Sequence, residues 1–550
     1  MATQLLVSGH VYTPASPDAT ALAVTDGVVV WVGSDAVGAA LHPDAEVIDL
    51  DGRFVAPAFV DSHVHLTSLG LALHDRVLVD ATSSADLLAR LRILVADRPR
   101  DAVVISGGWD DSGWGDVQVP TTAQLDEVVG DRSVYLARID EHSALASSAL
   151  RAAVADLAAQ PGFSADGLLT GAAHHLVRTT ARASLTRAQR AQAQVAALDH
   201  CAAAGIVAVH ENGGPEISGL DDFVELASLD HPVSVRRLWG APVTSDAGAA
   251  QLLTDTGAHG LAGDLFIDGS LGSHTALLSE PYTDAPTTLG VGFLDPQQVY
   301  AHLLACTQSG IQAGFHVIGD AAMGIVVDAL DRLAQQVPTA SIAKCAHRVE
   351  HAEMVSVAQA QTLARCGVIA SMQPAFDAAW GGADALYAQR LGDRAAALND
   401  FAMLAKTGVA LSFSSDAPVT AISPWATVRA AVHHHTPSSA VSARAAFAAC
   451  TRGGWRAAGV NDGMTGTLAP GAPAHYSIWE VDDFVVAGSD EKVQRWSTDP
   501  RSRVPSLPDV APGANLPICV ATVSAGRTIF GDIGVGHTAI NDPELGADAR

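Results

Sequence analysis

The 550-residue sequence predicts an α/β protein built on a TIM-like (β/α)8 barrel, and two observations predict it. From about residue 200 onward, short apolar runs that end in a polar residue alternate with alanine-rich helical stretches. This rhythm is typical of parallel strands joined by helices. Together with one run near the N-terminus, the apolar runs number eight, which is the number of strands in a barrel of this type.

The eight predicted strands are residues 54–65, 205–211, 233–240, 263–269, 311–320, 345–351, 367–374 and 408–416. About 140 residues separate the first strand from the second, far more than one strand-helix unit needs. We therefore predict an inserted α+β segment at residues 66–190, which covers the substrate. The barrel itself is predicted to comprise residues 55–65 and 191–464.

The two ends of the chain carry the remaining strand signals. Residues 1–54 contain valine-rich runs broken by Asp26-Gly27 and Asp51-Gly52, dipeptides that favour hairpin turns. Two strand-like runs, HYSIWEV and ICVATVSAGRTIF, occur within residues 465–550. The economical arrangement is a small β-sandwich domain made from residues 1–54 and 465–550, with a polar C-terminal tail.

Charge and composition exclude several classes of partner. Acidic residues number 59 and basic residues 32, for a net charge of −27, which would repel nucleic acid and anionic membrane surfaces. The sequence contains no apolar run long enough to span a membrane and no basic, apolar N-terminal leader. Its six cysteines lack CxxC pairs. We expect a cytoplasmic protein with reduced thiols that acts on a small molecule.

The first predicted strand ends in His63-Val64-His65. Alternate residues of a strand face the same side, so the two imidazoles are placed to bind one metal ion together. An isolated pair of this kind is also typical of two ordinary packed or exposed histidines. The pair therefore gains its meaning from the residues at the ends of the other strands.

Similar residues end three later strands: His316 the fifth, His351 the sixth and Asp416 the eighth. The C-terminal ends of barrel strands meet at one face, so these side chains should converge with His63 and His65. Several imidazoles and one carboxylate are a donor set that suits zinc or a similar divalent ion. We predict one such site, with zinc as the favoured ion.

Seven motifs run through nearly the whole chain. They are APAFVDSHVH (56–65), GGWDDSGW (107–114), ARIDEHSALASSAL (137–150), FIDGSLGSHTALL (266–278), FHVIGDAAM (315–323), HRVEHAEM (347–354) and SSDAPVTAISPW (414–425). Together they resemble the YtcJ-like branch of the amidohydrolase superfamily, amidohydrolase family 3, which includes N-substituted formamide deformylases. The resemblance implies a metal-bearing barrel flanked by a small β-sandwich.

The resemblance also implies roles for individual residues. It makes His63, His65 and His316 metal ligands, with Asp416 a further ligand or a neighbour of the metal-bound water. His351 would bind a second metal or polarise the substrate. Asp416 and His351 are then the expected catalytic residues.

The number of ions depends on one departure from the family pattern. Two-metal relatives often bridge their ions with a carboxylated lysine on the fourth strand, where this chain has Asp264. All three lysines, beginning with Lys344, follow His316, so none can come from that strand. We therefore expect one ion and no carboxylated lysine, while Asp264, Asp268 or Glu211 is left open as a carboxylate bridge between two.

Residues outside the metal set are predicted to contact substrate. Trp109, Asp110 and His142 lie in motifs of the inserted segment, and Asp268 lies in the loop after the fourth predicted strand. For Trp109 the alternative is packing in the core of the segment itself.

Three functions are compatible with this pattern. The leading hypothesis is a metal-dependent hydrolase of C–N bonds in amides, formamides or cyclic amides. The second is deamination of a cyclic amidine or nucleobase-like ring, and the third is a non-catalytic binding or assembly protein. A homodimer is left open.

Overall fold

The chain begins with short strands. The computed structural model describes residues 3–75, 77–96, 98–115, 118–485 and 505–533. The first elements are β1 (Thr3–Val7), β2 (His10–Val11), β3 (Ala21–Thr25), β4 (Val28–Gly33), α1 (Asp35–Leu41), β5 (Glu46–Asp49) and β6 (Phe54–Pro57). Asp26 and Gly27 join β3 to β4 with φ of 50° and 77°, the geometry of a two-residue hairpin. The Asp51-Gly52 turn instead leads from β5 into a different sheet.

An α+β segment with its own core follows β7 (Phe59–Val64). Its elements, with the helix that leads back to the barrel, are α2 (Leu66–His74), α3 (Ser84–Ala96), β8 (Val104–Trp109), α4 (Thr122–Val129), β9 (Val134–Arg138), β10 (Ser143–Ala146), α5 (Ser148–Ala152), β11 (Leu169–Thr170), α6 (Gly171–Arg182) and α7 (Arg187–Ala203). Its sheet has the order β11-β10-β9-β8. Trp109, Leu125 and Leu136 belong to an apolar cluster within this segment.

Alternating strands and helices form the largest part of the chain. They are β12 (Ile206–Gly213), α8 (Gly219–Leu226), β13 (Ser234–Trp239), α9 (Asp246–Thr256), α10 (Pro296–Ser309), β14 (Gly314–Val317), α11 (Asp320–Ala334), α12 (Thr339–Lys344), β15 (Arg348–His351), α13 (Val357–Arg365), β16 (Ile369–Met372), α14 (Pro374–Trp380), α15 (Leu386–Leu391), α16 (Phe401–Thr407), β17 (Ala410–Phe413), α17 (Pro424–Val432), α18 (Ala443–Cys450) and α19 (Arg452–Ala457). Its strands pair in parallel, which confirms the α/β class.

These parallel strands make two sheets, with the orders β13-β12-β7 and β14-β15-β16-β17. On one side a single bridge between Val64 and Ala417 links the sheets. On the other side, single bridges join Leu238 to Gly260 and Leu261 to Ala313. The carboxyl ends of the strands therefore lie at one edge, although the strands do not form one continuously hydrogen-bonded barrel.

The prediction of a regular fourth strand at residues 263–269 is wrong, because this segment is irregular. Its contact with the neighbouring strand β14 is a single bridge between Phe266 and His316. Gly263 has a φ of 82°, and a Cβ there would lie 2.6 Å from Asn212 Oδ1. The backbone bends at Gly263 and Asp264, which interrupts the predicted strand.

The last strands return to the N-terminal region. They are β18 (Tyr476–Glu480), β19 (Phe484–Val485), β20 (Leu507–Pro508), β21 (Ile518–Ser524) and β22 (Arg527–Gly531). One sheet has the order β2-β6-β18-β21-β22 and the other β4-β3-β1-β5. The two sheets share an apolar cluster that includes Leu6, Val55 and Ile478.

The pairing of β6 with β18 also corrects the first predicted strand, because residues 54–57 belong to this sheet and only 59–64 join the barrel sheet. Most of the predicted polar tail, from residue 534, lies outside the described residues. Within the described ranges, the helices are all too short or too polar to cross a membrane.

Candidate metal centre

Two histidines and a carboxylate meet at the end of β7. His63 lies on the strand and His65 immediately follows it, while Asp416 follows β17. The Nε2 atoms of His63 and His65 each lie 3.2 Å from Asp416 Oδ1. Their ligand atoms fall within 4.8 Å of one another, which is close enough for a single ion to contact all three.

Asp264 lies between the predicted ligands. Its Oδ2 is 3.1 Å from His65 Nε2, and its Oδ1 is 3.4 Å from His63 Nε2 and 3.5 Å from His316 Nδ1. His351 Nε2 is 3.9 Å from the same Oδ1. The irregular backbone after Gly263 thus brings a carboxylate into the centre of the histidine cluster.

The donor atoms fit a cation. Five buried atoms have no hydrogen-bond partner: His63 Nε2, His316 Nδ1, His351 Nε2, Asp264 Oδ1 and Asp416 Oδ1. Buried polar atoms are nearly always satisfied, so five unsatisfied atoms in one cluster require an explanation. Imidazole nitrogens and carboxylate oxygens are among the ligands that zinc takes in proteins, so bound divalent metal would supply the missing partners.

Hydrogen bonds to the opposite ring nitrogens orient three of the histidines. His63 Nδ1 lies 3.0 Å from Glu350 Oε2, His351 Nδ1 lies 2.9 Å from Gln373 Oε1, and His316 Nε2 lies 3.2 Å from the carbonyl oxygen of Gly269. All three partner atoms are acceptors, so each of these nitrogens carries the proton. The other nitrogen of each ring faces the cluster, where it can bind a metal ion in place of a proton.

Arg348 holds Glu350 in place. Its Nη2 donates to Glu350 Oε2 at 2.8 Å and to the carbonyl oxygen of Ser62 at 2.7 Å, and its Nη1 lies 2.9 Å from His210 Nδ1. Burial raises the pKa of Glu350, but Arg348 and His63 outweigh burial and lower it to about 2. Glu350 is therefore an ionised acceptor for the His63 ring.

The electrostatics of the cluster favour bound positive charge. Burial lowers the pKa of His63, but Asp416 and Asp264 outweigh burial and raise it well above its usual value. Burial raises the pKa of Asp264, yet the histidines, His63 first among them, lower it well below the usual range. The pKa of Asp416 is lowered for the same reason. Both carboxylates are therefore ionised in a buried pocket, which attracts a cation.

Backbone geometry at two site residues is unusual. His351 has a φ of 68° and Asp416 a φ of 56°, both in the left-handed region. The backbone N–H of Asp416 donates to the carbonyl oxygen of His63 at 2.9 Å. Strained backbone of this kind persists where surrounding contacts hold it, and it is concentrated at functional sites.

The predicted substrate residues divide into two groups. His142 lies in the cavity beside the histidine cluster, with its ring centroid 4.9 Å from that of His316. Burial, together with neighbouring positive groups, lowers the pKa of His142 well below its usual value, so its ring is neutral. Trp109 is fully buried in the core of the inserted segment and donates to the carbonyl oxygen of Leu136. Trp109 therefore packs in the core of the inserted segment, which is the alternative stated for it above.

Asp110 and Asp268 are engaged in contacts within the protein. Asp110 Oδ1 accepts from Arg138, and its Oδ2 accepts from Trp380 Nε1 at 3.0 Å. Asp268 is fully buried, and its carboxylate accepts three backbone N–H bonds, from Leu277, Ile318 and Gly319. Both carboxylates hold loops together, and their contact with substrate stays a prediction.

Sequence reasoning missed Glu350 and Gln373, which orient ligand rings, and Arg178 and Arg182, which line the cavity from α6. For Glu350 a signal existed, since it immediately precedes His351 at the end of a strand. The arginines lie on a helix whose docking position no local pattern indicates.

The class of protein follows from comparison with known families. Residues 46–530 match Amidohydro_3, the Amidohydrolase family. Because this span takes in most of the 550 residues, the chain belongs to that family. The resemblance predicted from the seven motifs is confirmed.

Individual relatives are similar over most of their lengths. Protein LONG AFTER FAR-RED 3 of Arabidopsis thaliana is 29% identical over 522 residues, which cover 88% of each chain. Putative amidohydrolase YtcJ of Bacillus subtilis is 27% identical, over 77% of this chain and 82% of its own. N-substituted formamide deformylase of Arthrobacter pascens is 25% identical, over 77% of this chain and 81% of its own.

A solved structure supports the architecture. The crystal structure of an uncharacterized metal-dependent hydrolase from Pyrococcus horikoshii superposes with a TM-score of 0.67 at 25% identity. The match covers 88% of this chain and 98% of that one.

Proposed function

We propose that the protein is a metal-dependent hydrolase that cleaves a C–N bond in an amide, formamide or cyclic amide. The observation that carries the proposal is the group of five buried donor atoms that face one another without hydrogen bonds. Hydrogen bonds on the far side of three rings keep these nitrogens free to bind metal. A relative named as an N-substituted formamide deformylase supports the amide class.

The chain offers His63, His65, His316, His351 and Asp416 to hold the ion, and zinc suits this donor set. When bound, a divalent ion acts as a Lewis acid and allows water to attack a carbonyl group at neutral pH.

Asp416 is the residue best placed to move protons. Its Oδ1 is a buried acceptor without a hydrogen-bond partner, beside His63 and His65. We assign to it acceptance of the proton from the attacking water and delivery of that proton to the departing nitrogen. The backbone bond to His63 keeps the carboxylate at the cluster while it does so.

The sequence allows His351 to bind metal or to polarise the substrate, and its hydrogen bond to Gln373 favours metal binding. Because Gln373 Oε1 accepts from His351 Nδ1, Nε2 is the ring nitrogen that faces the cluster and is available to a metal ion. This geometry supports a ligand role. His142, which is neutral and lies beside His316, is left to contact the substrate.

The position of Asp264 bears on the number of ions. Its Oδ2 is near His65, whereas its Oδ1 is near His63, His316 and His351, so one carboxylate reaches all four histidines. This arrangement supports a carboxylate bridge between two ions, formed without a lysine, over the single ion expected from sequence. Elemental analysis of purified protein decides. One equivalent supports a single ion, and two equivalents that fall to one in Asp264→Asn support the bridge.

The activity is tested by screening N-formyl, N-acyl and cyclic imide compounds against protein of known metal content. Hydrolysis that is lost on chelation and restored by zinc supports the proposal. Ammonia release from cyclic amidines, with no amide cleaved, would favour the deaminase instead. Purified protein without stoichiometric metal and without turnover would favour the non-catalytic reading.

A further inference from the structure

Two arginines of α6 line the cavity beside the metal cluster. Arg178 and Arg182 are one helical turn apart and are 3% and 7% exposed. The same cavity is lined by His65, His142 and Asp416. Two buried positive charges therefore face the place where the proposed reaction occurs.

The hydrogen bonds of these arginines leave several N–H groups without partners. Arg178 donates to the carbonyl oxygens of Glu216 and Glu141, and its Nη2 has no partner. Arg182 donates through Nη2 to Ser68 Oγ at 2.7 Å, and its Nε and Nη1 have none. In the described part of the chain, neither guanidinium forms an ion pair with a carboxylate.

We propose that Arg182, supported by Arg178, binds a carboxylate group of the substrate. A buried guanidinium without an ion pair is costly, and its unpartnered N–H groups can donate charge-assisted hydrogen bonds to the oxygens of a carboxylate. The cluster carboxylates Asp264 and Asp416 do not fill this role, because they pair with histidines. The proposal deepens the proposed function and rests on it, since it names the substrate as an amide with a carboxylate.

A larger apolar cavity indicates what else the substrate carries. Its volume is about 250 Å³, and its lining includes Leu69, Ile105, Tyr135 and Ile422. Arg182 lines this cavity as well as the one at the metal cluster. A substrate with its carboxylate at Arg182 can therefore extend an apolar group into this space.

The test compares two formamides that differ only in charge. N-formylphenylalanine carries a carboxylate and an apolar ring, and N-formylphenylalaninamide replaces the carboxylate with a neutral amide. We expect kcat/KM of the metal-loaded wild type to be at least about tenfold higher for the carboxylate, because hydrogen bonds to a charged group contribute roughly 10- to 100-fold in binding.

Three variants assign that preference. Arg182→Gln should lower kcat/KM for N-formylphenylalanine about 10- to 100-fold and leave the amide within about twofold. Arg182→Lys keeps the charge and should recover part of the loss. The matched control is Arg190→Gln, because Arg190 on α7 pairs with Glu225 on α8. This variant should leave kcat/KM unchanged for both substrates. Metal content and Tm of each variant identify any loss of fold.

A binding measurement separates this proposal from the proposed reaction. Calorimetry compares 3-phenylpropanoate with 3-phenylpropanol on the metal-loaded protein. If neither formamide is cleaved but 3-phenylpropanoate binds the wild type at least about tenfold more tightly than Arg182→Gln, deformylation of these compounds is wrong and the carboxylate site stands. Equal losses for both formamides, or carboxylate binding that is independent of Arg182, would overturn the carboxylate site and leave C–N hydrolysis standing.

Discussion

The cavity at the candidate metal site has two walls of different construction. On the barrel wall, histidines at strand ends, such as His63 and His351, are oriented by the hydrogen bonds that they donate to Glu350 and Gln373. On the wall from the inserted segment, Arg182 projects from a helix with its Nε and Nη1 unpartnered. A wall with oriented ligands suits a reaction, and a wall with unused donors suits recognition of a variable substrate.

The largest effect is expected from Asp416→Asn on the barrel wall. The variant keeps the shape of the side chain but lacks the proton acceptor, so kcat should fall about 10²- to 10⁴-fold. The histidine ligands remain, and the metal content should stay near that of the wild type. Steady-state kinetics with elemental analysis checks both points. Wild-type rates in this variant would refute the role of Asp416.

Glu350→Gln should weaken the orientation of His63. Arg348 would lose its buried counter-ion, at a cost of about 3–5 kcal/mol in the free energy of unfolding. Metal affinity should fall roughly 10- to 100-fold, because His63 loses an ionised acceptor. Denaturant unfolding and competition with a chelator measure these changes. Glu225→Gln, at the ion pair with Arg190, is the control, and equal metal affinity in both variants would contradict the prediction.

The buried pair of Glu350 and Arg348 also predicts that stability depends on pH. The pKa of Glu350 in the folded protein is about 2, below its usual value of 4.5. A lowered carboxyl pKa stabilises the fold above pH 4.5, and this stabilisation is lost as pH falls from 4.5 toward 2. The difference in unfolding free energy between wild type and Glu350→Gln should therefore shrink over that range. A difference that stays constant between pH 6 and 3 would argue against an ionised Glu350.

Trp109→Ala tests whether that residue belongs to the core or to the cavity. Because its ring is fully buried, its removal should cost about 3–5 kcal/mol of unfolding free energy. The KM of the folded protein should be unchanged. The control Ile93→Ala, at a side chain 64% exposed, should cost less than about 0.5 kcal/mol. A raised KM without loss of stability would restore the substrate-binding prediction.

Asp110→Asn should have the smallest effect. Arg138 keeps its ion pairs with Asp111 and Asp140, so we expect a loss of about 1 kcal/mol or less. Turnover should stay within about twofold of the wild type. Kinetics on the best substrate from the screen makes the measurement, and a tenfold rise in KM would place Asp110 in recognition.

Much of the barrel wall could be predicted from sequence. His63-Val64-His65, His316, His351 and Asp416 stand at or near the ends of apolar runs, and the ends of parallel strands share one edge. Their convergence therefore follows from the strand pattern and the parallel topology, both of which can be inferred from the sequence. The family motifs lie at the same positions and add to this inference.

The inserted segment was harder to predict because its residues are not tied to strand ends. Trp109 and Asp110 stand in a distinctive motif, yet the first packs in a core and the second pairs with Arg138. A motif reports that a residue matters to the family without saying whether it folds a segment or contacts a ligand. Arg178 and Arg182 carry no motif that we recognised, and only helix docking brings them to the cavity.

The sequence by itself determined the family, the parallel α/β class and the set of residues at the strand ends, because periodicity and motifs are local properties of the chain. Tertiary structure decided which atoms meet. Asp264 reaches the histidines through a turn at Gly263 that interrupts a predicted strand. Glu350 and Gln373 set ring orientation across strands. Such contacts join residues distant along the chain, and their geometry exists only once packing has placed the backbones together.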